Sequence, residues 1–198
     1  MSLLPMNEIT NFSQLDPNAS YTYADYLKWK IKERVEIIKG KILAISPAPT
    51  RFHQRISMKL TAKFLDVFDN HRCQIYAAPF DVRFPDKDGN IKTVVQPDLC
   101  VICDQEKLDD KGCIGAPDLI VEILSPGNTR KEMKNKYELY QECGVKEYWI
   151  VSPEVRAIQI FVLQGDKYIG IQPVAEDDIA TSVVFPALIF STEKLYDL

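Results

Sequence analysis

Several absences narrow the field before any residue is singled out. Met1 to Ser20 carries neither a positively charged start nor an apolar stretch, so no secretion signal is expected. No run approaches the roughly 18 apolar residues of a membrane-spanning helix, and no membrane partner is expected. Gly127 and Gly144 stand isolated, so the sequence offers no glycine-rich loop to cradle a nucleotide. No Gly-x-Ser-x-Gly elbow supports serine-hydrolase chemistry. The five cysteines (73, 100, 103, 113 and 143) are odd in number and lack a framework spacing, which fits a reducing compartment and makes the cytoplasm the expected location. Positive net charge is missing too: 24 Lys+Arg against 28 Asp+Glu gives −4. That weighs mildly against a protein that coats nucleic acid, but it leaves room for a local basic patch.

What is present reads as an ordinary globular chain. Its 46% hydrophobic and 26% charged residues argue against disorder, and 198 residues suit one domain. Residues 1–20 are polar and read as an arm, leaving 21–198 as the domain. Thr22 and Asp25 form a capping-box pattern for a helix over 23–32. Two strands, 35–39 and 41–46, turn at Lys39-Gly40, and Pro47-Ala48-Pro49 ends that unit. Phe52, Ile56, Leu60, Phe64 and Val67 recur at helical spacing over 51–70. Strands are expected at 73–84 and 93–103, around a hairpin loop at 85–90. A loop over 104–117 leads to a buried strand at 118–124. A helix over 129–143 ends at Gly144. Strands at 147–151, 155–163 and 167–173 and a short terminal helix at 192–198 complete the series. The fold class is α/β, a mixed sheet flanked by helices.

Function is best sought where local rules are broken. Glu122 lies between Val121 and Ile123 in the buried strand, and alternation groups it with Asp118, Ile120 and Leu124 on one face. A buried carboxylate must be neutral, paired or metal-bound. An ion pair and a metal site answer this equally well. Asp98 follows Pro97 in a run of β-formers, at a strand start or bulge. Alone it reads as a strand-end aspartate. Lys136 falls within the apolar stripe Met133, Tyr137, Tyr140 and Cys143, so it needs an anion such as Glu132 or a carboxylate cluster, unless it snorkels to the surface. His53, near the apolar stripe of its helix, reads by itself as a satisfied core histidine. Glu36, between Val35 and Ile37, is a further acidic residue among β-formers. Cys100-x-x-Cys103 carries little metal signal, because positions i and i+3 of a strand face opposite sides and no second pair exists.

An aspartate opening one strand, a glutamate in a following strand and a nearby lysine resemble the layout of the PD-(D/E)XK nucleases. The segments 35–40, Arg51-Phe52-His53-Gln54, Val95-Gln96-Pro97-Asp98, 116–126 and 144–151 occur in the order seen in the Uma-two family of bacterial restriction endonucleases. The resemblance runs from about Tyr21 to the C-terminus. It implies a restriction-endonuclease-like fold and a metal-dependent endonuclease acting on nucleic acid, DNA above RNA. It assigns Asp98 and Glu122 as carboxylates holding Mg²⁺ or Mn²⁺, Glu36 as a third acidic member and Lys136 as the catalytic cation. His53 and Glu132 occupy supporting positions. The chain departs from the usual pattern at Leu124, where the superfamily lysine would stand, and at Glu132, where aspartate is usual. Arg130, Lys131 and Lys134 are candidates for phosphate contacts, against a plain reading as a solvated helix face. A homodimer would suit paired cuts. The alternatives are a non-catalytic binding module on the same fold, and metal-free carboxylate hydrolysis of a glycosidic bond.

Overall fold

The computed structural model describes residues 8–32, 34–44, 49–126 and 129–197. Part of the expected arm (1–7), the end of the second strand with the Pro47-Ala48 break, and Gly127 fall outside them.

The described part of the arm, 8–20, lies on the body. Lys30 N–H donates to Ile9 O, Tyr21 N–H to Gly40 O, and Lys41 Nζ to the carbonyls of Asn18 and Ala19. Thr22 caps α1 with Asp25 as its capping-box partner, as expected. The helix itself is shorter, Tyr23–Tyr26, because the sequence beyond it places Lys28, Trp29, Lys30 and Ile31 in irregular chain.

β1 (Val35–Ile38) and β2 (Lys41–Ala44) pair antiparallel across Lys39-Gly40, both at positive φ. That is the geometry a two-residue turn needs to match strand twist. A Cβ at Gly40 would also run into Ser20 Oγ, so the arm and the turn fit only with glycine there. α2 (Arg51–Phe68), capped by Thr50, buries Ile56, Leu60, Phe64 and Phe68 along one stripe.

The expected strand 73–84 is two strands, β3 (Gln74–Ala77) and β4 (Val82–Pro85). The expected strand 93–103 likewise divides into β5 (Ile91–Val95) and β6 (Leu99–Ile102), around Pro97. In both cases the chain crosses from one sheet to the other, and periodicity does not reveal which partner a strand takes. The expected loop 104–117 contains β7 (Leu108–Asp109) and β8 (Gly112–Ile114). β9 is Leu119–Ile123, and α3 (Arg130–Cys143) runs from the Thr129 cap to Gly144 in the left-handed region. β10 (Glu147–Ser152), β11 (Ala157–Gln164), β12 (Lys167–Gly170), β13 (Val174–Ala175), β14 (Ile179–Thr181) and β15 (Ile189–Ser191) follow. The expected terminal helix is instead a turn over 193–196.

Among the described residues, one sheet has the order β2-β1-β5-β4-β8-β7 and another β12-β11-β10-β9-β6-β3, with β13 on β11. β9 and β10 are parallel and joined by α3, a βαβ unit inside a largely antiparallel sheet. Alternation decides the two cores. Leu99, Val101, Leu119, Val121 and Ile123 face α2 and the C-terminal strands. Cys100, Ile102 and Ile120 face α3 and the first sheet. Cys73 and Cys103 are disulfide-bonded, which the cysteine spacing did not suggest. The β3–β6 register pairs Gln74 with Ile102 and brings the flanking cysteines level. Cys100 is buried on the opposite face with a free thiol. No helix among the described residues is long and apolar enough to cross a membrane.

Candidate active site

The site forms where the two sheets and both long helices meet. Leu99 pairs with Val121, so Asp98, one residue earlier, comes level with Glu122 at the end of the β6–β9 ladder. Pro97 has no N–H to give and interrupts the ladder just before Asp98, whose carboxylate turns toward β9. Ile123 N–H donates to Asp98 Oδ2 at 2.7 Å, and His53 Nε2 lies 3.2 Å from the same oxygen. His53 comes from the first turn of α2, and its Nδ1 is buried without a hydrogen-bond partner among the described residues. Burial works against a charged imidazole there, but the adjacent Asp98 carboxylate lifts the His53 pKa above its ordinary value.

Glu122 projects from β9 toward α3. Lys136 Nζ donates to Glu122 Oε1 at 2.8 Å and to Glu36 Oε1 at 3.2 Å. Glu36 arrives from the other sheet, its Oε1 also accepting from Gln96 N–H at 2.9 Å. Tyr140, one turn after Lys136, donates its hydroxyl to Glu122 Oε1 at 2.6 Å. The i, i+4 spacing puts ammonium and phenol on one helix face, over the same carboxylate oxygen. Burial pushes the Glu122 carboxyl up to about 7, with Asp98 and Glu36 adding to the rise and Lys136 opposing it. Burial alone would lower Lys136, yet Glu122 and Glu36 hold its ammonium above the ordinary lysine value. Burial, reinforced by Glu122 and Glu36, drives the Tyr140 pKa well up, so the phenol remains a donor.

Glu36, His53, Asp98, Glu122 and Lys136 thus converge. Glu132 does not: its side chain accepts from Thr129 N–H at 2.8 Å and closes the capping box of α3 rather than pairing with Lys136. Arg130, Lys131 and Lys134 are exposed on the outer side of α3, and Lys134 lies 3.7 Å from Glu138. Two participants escaped the sequence reading. Tyr140 looked like one more apolar-stripe residue. Gln96 enters through its backbone N–H, which no side-chain pattern signals. Its side chain also accepts from Arg34 Nε at 2.9 Å.

The site carries three carboxylates with one lysine and one histidine. Their oxygens are hard donors, and among the described residues Asp98 Oδ1 and Glu122 Oε2 take no hydrogen bond. No three His, Cys, Asp or Glu among the described residues are gathered into a ready-made metal cage. Soft-metal and structural-zinc sites therefore have no support from the donor set.

The chain is 26% identical over 145 residues to an uncharacterized protein from Synechocystis sp., covering 72% of this chain and 74% of that protein. Its fold is similar to the crystal structure of a protein from Anabaena variabilis described as "a putative nuclease belonging to DUF820". The TM-score is 0.69, with 21% identity, covering 89% of this chain and 97% of the other. Residues 23–193 match the Uma2 family model, described as "Putative restriction endonuclease". With all of α1 through β15 inside that match, the chain belongs to the Uma2 family of restriction-endonuclease-like proteins.

Proposed function

We propose that the protein is a metal-dependent endonuclease that hydrolyses phosphodiester bonds of nucleic acid, with DNA the favoured substrate. The observation that carries this reading is the convergence of Asp98 and Glu122 at one strand end, with Lys136 bridging Glu122 and Glu36. More carboxylates than cations sit in a largely buried place, and uncompensated buried charge is costly. A small divalent cation completes that balance. Mg²⁺ or Mn²⁺ fits the donor set, since such ions are commonly held by one or two carboxylates and keep several waters. Asp98 and Glu122 would hold it, and when bound it would lower the pKa of a water and offset charge on the scissile phosphate.

The protein's own residues do the positioning. Ile123 N–H and His53 fix the Asp98 carboxylate. Tyr140 and Lys136 fix Glu122. Lys136, permanently charged, stands ready to orient the attacking water or to stabilise the developing negative charge on the phosphoryl oxygens. Glu36 gives the ammonium a second anchor, so Lys136 would keep an anionic partner if Glu122 were shared with a metal ion. Arg130, Lys131 and Lys134 contact flanking phosphates without reading sequence.

The test is nicking of supercoiled plasmid in Mg²⁺ or Mn²⁺, wild type against Glu122→Ala. Metal-dependent nicking lost in the variant supports the reading. Metal binding without cleavage by wild type redirects the question to the substrate. Neither cleavage nor metal binding favours a binding module on the nuclease fold.

A further inference from the structure

Three carboxylates repel a polyanion, so a nuclease site of this kind needs a feature beside it that attracts one. The segment feeding β1 has that character. Lys28-Trp29-Lys30-Ile31-Lys32-Glu33-Arg34 packs four of the chain's 24 Lys+Arg into seven positions. Lys28, Lys30 and Lys32 are exposed, while Trp29 and Ile31 are half-buried. Lys28 is partly offset by Asp25 at 3.7 Å. Among the described residues, Lys30 and Lys32 have no ion-pair partner. Arg34 turns inward to Gln96, the residue whose N–H holds Glu36, so this segment and the site are mechanically joined.

An aromatic wall accompanies the charges. Trp29 meets Tyr21 and Tyr26 edge to face, with centroids 5.3 Å and 5.8 Å apart. Tyr26, Leu27, Trp29, Ile31 and Val35 line a cleft of about 230 Å³. That is smaller than the ~300 Å³ where drug-sized ligand pockets begin, a scale suited to one flat heterocycle. Leu27 at its mouth is 49% exposed. Lysines interleaved with aromatic faces are how proteins hold single strands without reading sequence.

We propose that Lys28 to Lys32 and the Trp29 cleft form a track that receives a single-stranded stretch of nucleic acid and leads it to the acidic site. The proposal rests on the nuclease reading for its destination, but the track binds with or without cleavage. Lys30 and Lys32 take phosphates, and Trp29 and Tyr26 take base faces. Lys32 is four residues from Glu36, at most about 14 Å of chain, so a strand on the track passes within a few nucleotides of the carboxylates.

The test is binding of a fluorescent oligonucleotide in EDTA, where no turnover interferes. DNA and RNA versions are run in parallel, because both offer the same phosphates and base faces. Wild type is compared with Lys30→Gln/Lys32→Gln, whose exposed side chains leave the fold intact by circular dichroism. Two phosphate contacts on a single strand contribute a slope of about 1.4 in log K against log salt, so the double variant should bind about 25-fold more weakly at 0.1 M salt and show that much less salt dependence. Intrinsic fluorescence adds a second readout. The chain has two tryptophans, and Trp149 is fully buried, so quenching on binding reports Trp29. Binding of the variant within twofold of wild type, unquenched Trp29, or no binding by wild type would overturn the track. A duplex that competes as well as the single strand would overturn the single-strand assignment. Lysine-dependent binding without Glu122-dependent cleavage would keep the track and remove the nuclease reading, so the two failures are distinguishable.

Discussion

Replacing Lys136 with methionine removes the one ammonium shared by Glu36 and Glu122 and keeps most of its volume. The carboxylates left behind have side chains only 4% and 11% exposed, and Tyr140 cannot supply charge. Breaking a buried pair by deleting one partner costs about 3–5 kcal/mol, because the other charge stays buried uncompensated. At about 2–4 °C per kcal/mol for a domain of this size, the melting temperature at pH 8 in EDTA should fall by roughly 6–20 °C. The loss should depend on pH with a definite sign. Glu122 already binds its proton more tightly folded than its ordinary value of 4.5, at about 7, chiefly through burial. A group raised on folding contributes stability that is complete below the unfolded value and is lost as pH climbs through the folded one. Without Lys136 the folded value moves further up. The gap between variant and wild type should therefore be small near pH 4.5 and widen through pH 7 and beyond. Differential scanning calorimetry from pH 4.5 to 8.5 measures it. Added Mn²⁺ should narrow the gap by supplying the missing positive charge. A pH-independent gap, or no gap at all, would refute the account of Lys136 as the counter-charge of a buried acidic pair.

Three further outcomes follow from individual contacts. Tyr140→Phe leaves Glu122 Oε1 with Lys136 alone, and the lost buried donor should destabilise the fold by about 1–3 kcal/mol in urea titration while shifting the pH profile of stability toward higher pH. His53→Ala leaves Asp98 Oδ2 held by Ile123 N–H alone, and calorimetric Mn²⁺ affinity should weaken by about 10- to 100-fold, as for other residues that hold a ligand in place. Glu147, fully buried, accepts from Trp149 Nε1, Ser182 Oγ and Val184 N–H and so ties the C-terminal segment to β10. Glu147→Leu should cost about 3 kcal/mol or more and raise hydrogen exchange across residues 182–190, because three donors lose their acceptor together.

The sequence alone determined the local features. Thr22 with Asp25 set a helix start, Gly144 set a helix end, and Lys39-Gly40 set a hairpin, because caps and turns depend on residues a few positions apart. Alternation in 118–124 placed Glu122 on the α3 face, and helical angle put Lys136 within an inward stripe, since both periods are fixed by backbone geometry. Only the tertiary structure decided what those residues meet. Glu132 stood within reach of Lys136 by spacing, but the Thr129 N–H took it for the cap. The runs 73–84 and 93–103 looked continuous, yet each crosses between sheets, a choice made by partner strands distant in sequence. The Cys73–Cys103 bond follows from the β3–β6 register, which cysteine spacing does not encode. Glu36 and Lys136, one hundred positions apart, touch only because the two sheets pack around α3. A carboxylate's burial and its partners are properties of that packing, so spacing and periodicity made the acidic residues legible only one by one, and their grouping into a site came from the family resemblance alone.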